Sequence, residues 1–135
     1  MIQSPDDPEL EALCQALAEH ATQLDRDGAW PAEQLRLCGE AGVFRWFLAP
    51  EWGGLGWSGY DIVRGYLRLS AACLTTTFVI TQRSGVCRRL SDSDNQEIKQ
   101  RWLPSLATSE KFATVGISHL TTSRRHLKKP VLRAE

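Results

Sequence analysis

The chain has no excess of either charge: 16 lysines and arginines face 16 aspartates and glutamates. Without a net field, nothing draws it broadly to nucleic acid or to an acidic membrane surface, and neither is expected as a partner. Long hydrophobic runs are also missing. The longest, such as Phe44 to Pro50 with Arg45 inside it, fall far short of the roughly 20 residues that a membrane span requires. The first residues, Met1-Ile2-Gln3-Ser4-Pro5-Asp6-Asp7, lack the basic start and apolar stretch of a secretion signal, so the cytoplasm is the expected location. Cys14, Cys38, Cys73 and Cys87 make no C-x-x-C pair and stand near no histidine cluster of metal-binding spacing, so no metal ligand is expected. In a cytosolic helical chain they read as small buried apolar side chains rather than as two disulfides. Internal repeats and low-complexity linkers are absent as well.

What is present suits one core. The 135 residues, 42% of them hydrophobic, suffice for a single domain and not for several. Asp7-Pro8 is a helix start, and Leu10, Leu13, Cys14, Leu17, Ala21 and Leu24 follow at helical spacing, so a first helix is predicted to about Leu24, before Arg26-Asp27-Gly28. Pro31 opens a shorter helix with Leu35, Cys38 and Ala41 on one face and Gly42 as its carboxy-terminal cap. Gly53, Gly54, Gly56 and Gly59 then mark a corner. Ser58 and Asp61 fit a capping box, and Ile62, Val63, Tyr66, Leu67, Ser70, Ala71 and Leu74 form a broad stripe that predicts a third helix.

The run Thr75 to Thr81 is rich in β-branched residues, so propensity alone favours a strand, whereas an all-helical core needs a helix through Leu90. Ser93 and Gln96 suggest another capping box, followed by Ile98, Trp102 and Leu106 in a helix ending near Ala107, with Pro104 near a bend at its end. Phe112 to Ser118 reads as extended, and Thr121 to Glu135 has neither period nor enough apolar residues to join a core.

Two stretches carry a family likeness: Ala49-Pro50-Glu51-Trp52-Gly53-Gly54-Leu55-Gly56-Trp57-Ser58-Gly59-Tyr60-Asp61 and Gln96-Glu97-Ile98-Lys99-Gln100-Arg101-Trp102-Leu103-Pro104-Ser105-Leu106-Ala107. In that order they resemble the helical amino-terminal domain of the acyl-CoA dehydrogenases, with its P-E-x-x-G-G-x-G-x-S corner and its E-x-K-x-x-x-L-P-x-L-A helix. Leu37 to Val43 matches a further step, and the similarity runs from about residue 10 to residue 118. The resemblance implies a mainly α fold, an orthogonal bundle of about five helices with a short β segment near the carboxy terminus. Residues 1–110 would be the helical domain, and 111–135 an incomplete, poorly ordered start of a middle β-domain. It also resolves the threonine run as helix, packing overriding propensity.

The family removes a proton α to the thioester carbonyl while a hydride passes to FAD. The resemblance places the carboxylate base beyond Glu135, so Glu40, Glu51, Glu97 and Glu110 read as helix-end, corner or solvated residues and no catalytic residue is expected. For the cofactor it implies Ile117 and Ser118, in the segment aligned with the family's flavin-contacting strand, and Gln82 on the helix that lines the acyl pocket. His119 and Ser123-Arg124-Arg125 depart from that pattern. Read without the resemblance, Gln82 is a polar residue in an apolar run, and Ser118 a strand residue satisfied by its neighbours. Arg83, Arg88 and Arg89 suit a solvated helix face or a phosphate, and Arg124 to Lys129 a surface loop or an anion site. The glycine corner is either a tight turn or a row of ligand-binding amides. No strand precedes it, so it is no dinucleotide fingerprint. Trp46, Trp52, Trp57 and Trp102 are expected to anchor the core, with Trp30 doing the same at a helix start.

Two functions are therefore expected to compete. One is the amino-terminal portion of a flavin-dependent acyl-CoA dehydrogenase, inactive alone, whose complete form takes an acyl-CoA substrate and assembles as a homo-oligomer. The other is a non-catalytic helical module that pairs with another subunit.

Overall fold

The computed structural model describes residues 1–115. Five α-helices account for most of them: α1 (Pro8–Asp27), α2 (Ala32–Glu40), α3 (Gly59–Ala72), α4 (Leu74–Ser91) and α5 (Gln96–Ala107). Between α2 and α3 lie two single 3₁₀ turns, Val43–Arg45 and Pro50–Trp52. Among the described residues there is no strand, and Lys111 to Val115 runs without regular structure. The rest of the segment predicted as extended, Gly116 to Ser118, lies outside the described residues.

The helix starts follow from capping chemistry. Asp7 accepts from the Glu9 amide ahead of α1, and Ser58 accepts from the Asp61 amide at 3.1 Å while its hydroxyl donates to the Asp61 carboxylate at 2.7 Å. The expected box at Ser93 is not what caps α5. Asn95 does so, its side-chain oxygen accepting from the Ile98 amide at 3.1 Å, while Ser93 accepts from Asn95 itself. The shorter asparagine-based cap wins because the helix begins only at Gln96. At the other end of the chain's first helix, α1 continues past Leu24 to Asp27, where Gly28 turns left-handed (φ 58°) and its amide returns to the Leu24 carbonyl at 3.1 Å.

The threonine run is helical throughout. Thr77 and Thr81 turn their hydroxyls back onto the carbonyls of Cys73 and Phe78 at 2.9 and 2.7 Å. Their polar atoms are thus satisfied inside the helix, and the buried face of Thr76, Thr77 and Ile80 faces the core. Pro104 sits within α5 rather than at a bend closing it.

The main core gathers Leu10, Leu13 and Leu17 of α1, Leu35 and Cys38 of α2, Phe44 and Trp46 of the first 3₁₀ region, Leu69 and Cys73 at the end of α3, and Ile80 of α4. A smaller cluster of Leu48, Cys87, Leu103, Leu106 and Ala107 holds α5 to α4. All four cysteines are buried and unpaired. Helices α3 and α4 are joined through Cys73 alone and run back along each other, tied by the hydroxyls of Tyr66 and Ser84. Of the seven residues of the predicted stripe, Val63, Leu67, Ala71 and Leu74 are exposed and Ile62, Tyr66 and Ser70 half-buried; the residues that α3 buries, Gly65 and Leu69, lie outside that stripe.

Candidate functional site

The glycine corner is closed upon itself. The amides from Trp52 to Trp57 all have backbone partners: Trp52 and Gly54 to Ala49, Gly53 to Pro50, Leu55 to Arg45, Gly56 to Leu48 and Trp57 to Trp46, at 2.7 to 3.1 Å. Gly54 is required by space. A Cβ there would lie 1.9 Å from the carbonyl oxygen of Leu48, against backbone that cannot swing aside. The folded-back corner sets the Trp57 ring flat on the buried Trp46 ring, with centroids 4.3 Å apart and planes 11° apart. The corner therefore presents no row of free donors to a ligand, and its chemistry is that of a clamp between the first core layer and α3.

Helix α4 carries the one described residue of the expected cofactor set. Gln82 is exposed, on the same outward face as Leu74 and Phe78, which are 68% and 64% exposed. It is therefore not a core residue seeking a buried partner. One turn on, Gly85 leaves room for the end of the described chain: a Cβ at Gly85 would lie 3.4 Å from a methyl of Val115. After α5 the backbone thus crosses back to α4 and reaches it beside the turn that bears Gln82. Ile117, Ser118 and His119 come next in the sequence but lie outside the described residues, as does the basic cluster from Arg124 to Lys129. No carboxylate occurs anywhere in α4. Glu40, Glu51, Glu97 and Glu110 are all solvent-exposed, and among the described residues no group of histidine, cysteine, aspartate or glutamate could hold a metal ion.

Arg83 is the principal departure from expectation. It is fully buried, not part of a solvated face, whereas Arg88 and Arg89 are exposed. Its guanidinium lies 4.1 Å from the Phe44 ring centroid and 5.6 Å from that of Phe47. It donates to the Leu106 carbonyl near the carboxy-terminal end of α5 and to the Phe44 carbonyl at 3.4 Å. Among the described residues no carboxylate pairs with it, and its Nε has no hydrogen-bond partner. Burial accordingly depresses its pKa below the ordinary arginine value. The positive charge is held by aromatic faces and by the negative end of a helix dipole. The available signal was spacing: Arg83 follows Ile80 by three residues and precedes Cys87 by four, in phase with the buried face of α4.

A separate cleft of about 420 Å³ lies between α2 and the turn after α5, with Trp30, Phe44 and Phe112 on its walls. Trp30 is 59% exposed, so it anchors no core, although its ring meets Phe112 edge-on at 5.8 Å. The charge at the rim is already compensated, Arg36 being bound by Glu33 and Glu40. Ser109, in a left-handed conformation (φ 67°), also lines the cleft, with its hydroxyl where a Cβ on Gly39 would lie.

Among the described residues no helix is long and apolar enough to cross a membrane. Residues 10–110 match the family described as acyl-CoA dehydrogenase, N-terminal domain. The chain is also 26% identical over 99 residues to the short-chain-specific acyl-CoA dehydrogenase of Clostridium acetobutylicum, an alignment that covers 73% of this chain and 26% of the relative. It thus spans about a quarter of the length of that relative. No solved structure matches it. With the family's profile covering α2 to α5, the corner and all but the first two residues of α1, the chain belongs to the acyl-CoA dehydrogenase family through its N-terminal domain.

Proposed function

We propose that this chain is the amino-terminal portion of a flavin-dependent acyl-CoA dehydrogenase, which oxidises an acyl-CoA thioester between its α and β carbons, and that it is inactive alone. Residues 1–110 form the helical part, and 111–135 begin the β-domain that follows. The observation that carries the reading is the outward face of α4. It holds an apolar ring at Phe78 and a neutral carboxamide at Gln82, with the chain returning to it at Gly85 through Val115. Such a face fits one wall of a flavin and acyl site: it offers one hydrogen-bonding group and apolar surface, and no carboxylate to repel an electron-rich ring system. FAD, when bound, supplies the hydride acceptor. Gln82 would orient it by hydrogen bonding, with Ile117 and Ser118 opening the platform beyond Val115.

This wall is insufficient for catalysis. Proton abstraction next to a thioester needs a carboxylate held within hydrogen-bond reach of the acidic carbon, and α4 contains none. The amides from Trp52 to Trp57 are spent on backbone partners and cannot replace a flavin cradle. The purified chain mixed with FAD and an acyl-CoA should elute from gel filtration without bound flavin and should reduce no electron acceptor. Sustained acceptor reduction by the chain alone would overturn the proposal.

A second reading, a non-catalytic helical module that pairs with another subunit, is favoured by one observation. Tyr60, Val63, Leu67, Leu74 and Phe78 are each more than half exposed along α3 and the start of α4, an apolar surface of the kind that marks an interaction site.

A further inference from the structure

We infer that the cleft between the end of α1 and the start of α2 binds a primary arylalkylammonium ion, its charge held by Asp27 and Gln34 and its aromatic body by Trp30. The site lies on other helices than the wall proposed for flavin and acyl chain, and it does not rest on that reading.

The cleft has a volume of about 430 Å³, within the range of small-molecule sites. Gln34 singles it out. The residue is only 8% exposed and lines the cleft, and among the described residues its carboxamide has no hydrogen-bond partner. That carboxamide is not one of the unpartnered polar atoms sealed in the interior, so the accessible remainder of Gln34 is its amide group, open to the cleft. A polar group that folding has already ordered, and left unpaired, is suited to a ligand. Trp30 forms the adjoining wall. Phe112 meets its ring edge-on at 5.8 Å, which steadies the ring while 59% of the residue stays exposed. Leu24, Ala29 and Ala32 make the rest of the lining apolar.

Charge selects the ligand. Asp27 and Glu33 line the cleft, and no lysine or arginine does, Arg26 included. Glu33 is taken by Arg36, which binds its two oxygens at 2.6 and 2.8 Å. Asp27 differs, because among the described residues its side chain accepts only from the neutral carboxamide of Gln23, at 2.8 Å to each oxygen. That contact orients the carboxylate and leaves its charge. Asp27 also closes the last turn of α1, where the helix dipole is negative. The Asp27 carboxylate and the Gln34 carbonyl oxygen together suit an ammonium group with its three N–H donors, whereas an anion would meet two carboxylates. Among the described residues no group could hold a metal ion, and a bare cation would leave Trp30 and its apolar neighbours uncovered. An aromatic ring on a short alkyl chain covers them.

Titration of the full chain with phenethylammonium chloride at neutral pH, followed by proton–nitrogen correlation NMR, should shift the Trp30 indole and Gln34 carboxamide signals together and saturably, with a dissociation constant of about 1 mM or tighter. Phenethyl alcohol, which keeps the ring and lacks the charge, and phenylacetate, which reverses the charge, should each bind at least about tenfold more weakly. Asp27→Asn should weaken phenethylammonium at least about tenfold and leave the alcohol unaffected. Gln34→Leu, which replaces the amide with an apolar group, should weaken it at least about fivefold. Glu19→Gln, which neutralises an exposed carboxylate of α1 outside the cleft, should change nothing. The absence of a saturable shift at Trp30, equal affinity for the alcohol or phenylacetate, or undiminished binding by a folded Asp27→Asn or Gln34→Leu chain would each overturn the inference. The three-ligand comparison is made on the parent chain, so it decides the matter even where a variant does not fold. None of these readouts involves flavin, so failure here is distinct from failure of the enzymatic reading.

Discussion

Arg83 shows how a single residue can be misplaced by its type. A guanidinium in a sequence defaults to solvent, because desolvating a charge is costly unless partners hold it. Here the partners are two phenylalanine faces and two carbonyls from distant parts of the chain, none identifiable from the residues around Arg83. Arg83→Ala removes the stem that fills the space between α4, α5 and the first 3₁₀ turn, and should lower stability by roughly 3 kcal/mol in urea titration. Arg83→Met keeps most of the stem and removes the buried charge, and should cost clearly less. If the two variants are equally unstable, the carbonyl bonds rather than the packed stem dominate.

At the scale of elements, the corner and the helices it joins were legible to different degrees. The glycine spacing announced a tight turn, and the Ser58–Asp61 box placed the start of α3 correctly. Which glycine the turn depends on most required coordinates. Gly54→Ala would drive a Cβ into the Leu48 backbone and should cost about 2–3 kcal/mol. Gly59→Ala, at the start of α3 where a Cβ meets nothing within 4 Å, should be neutral or slightly stabilising. Thermal melts of the two variants check the contrast, and similar losses would show that the corner tolerates a side chain. The α3 stripe was legible as a periodic pattern but not as an orientation. Apolar residues surround much of that helix, so periodicity could not say which side met the core.

For the whole molecule, the buried thiols supply a readout of global opening. Burial pushes Cys38 up to about 12 from an ordinary 9.0, with Cys73 and Cys14 nearby adding to the shift, and burial raises Cys14 and Cys87 as well. The sign is set by proton binding. Between 9.0 and about 12 the folded chain keeps the Cys38 proton that the unfolded chain releases. Stability contributed by the neutral thiol is therefore complete below 9.0 and declines as pH rises through that window. Under reducing conditions, the urea midpoint should fall between about pH 8 and about pH 10, and a thiol reagent at neutral pH should label the chain only as fast as it opens. Rapid labelling of the native chain would contradict the closed core.

The sequence by itself determined the family, the order of the helices, the caps of α1 and α3, and the reading of the cysteines as free and buried. These rest on local chemistry: spacing, capping hydroxyls, glycine clusters and the absence of ligand patterns. Only tertiary structure decided that Arg83 is interior, that Gln82 and Phe78 share an open face, and that the amides from Trp52 to Trp57 are spent on backbone partners. Each of these depends on how the backbone closes and which faces the rest of the chain covers, and residue type alone does not decide that. The corner from Pro50 to Gly56 identified the family from the sequence, and the fold then assigned it to holding Trp57 against Trp46 rather than to binding a ligand.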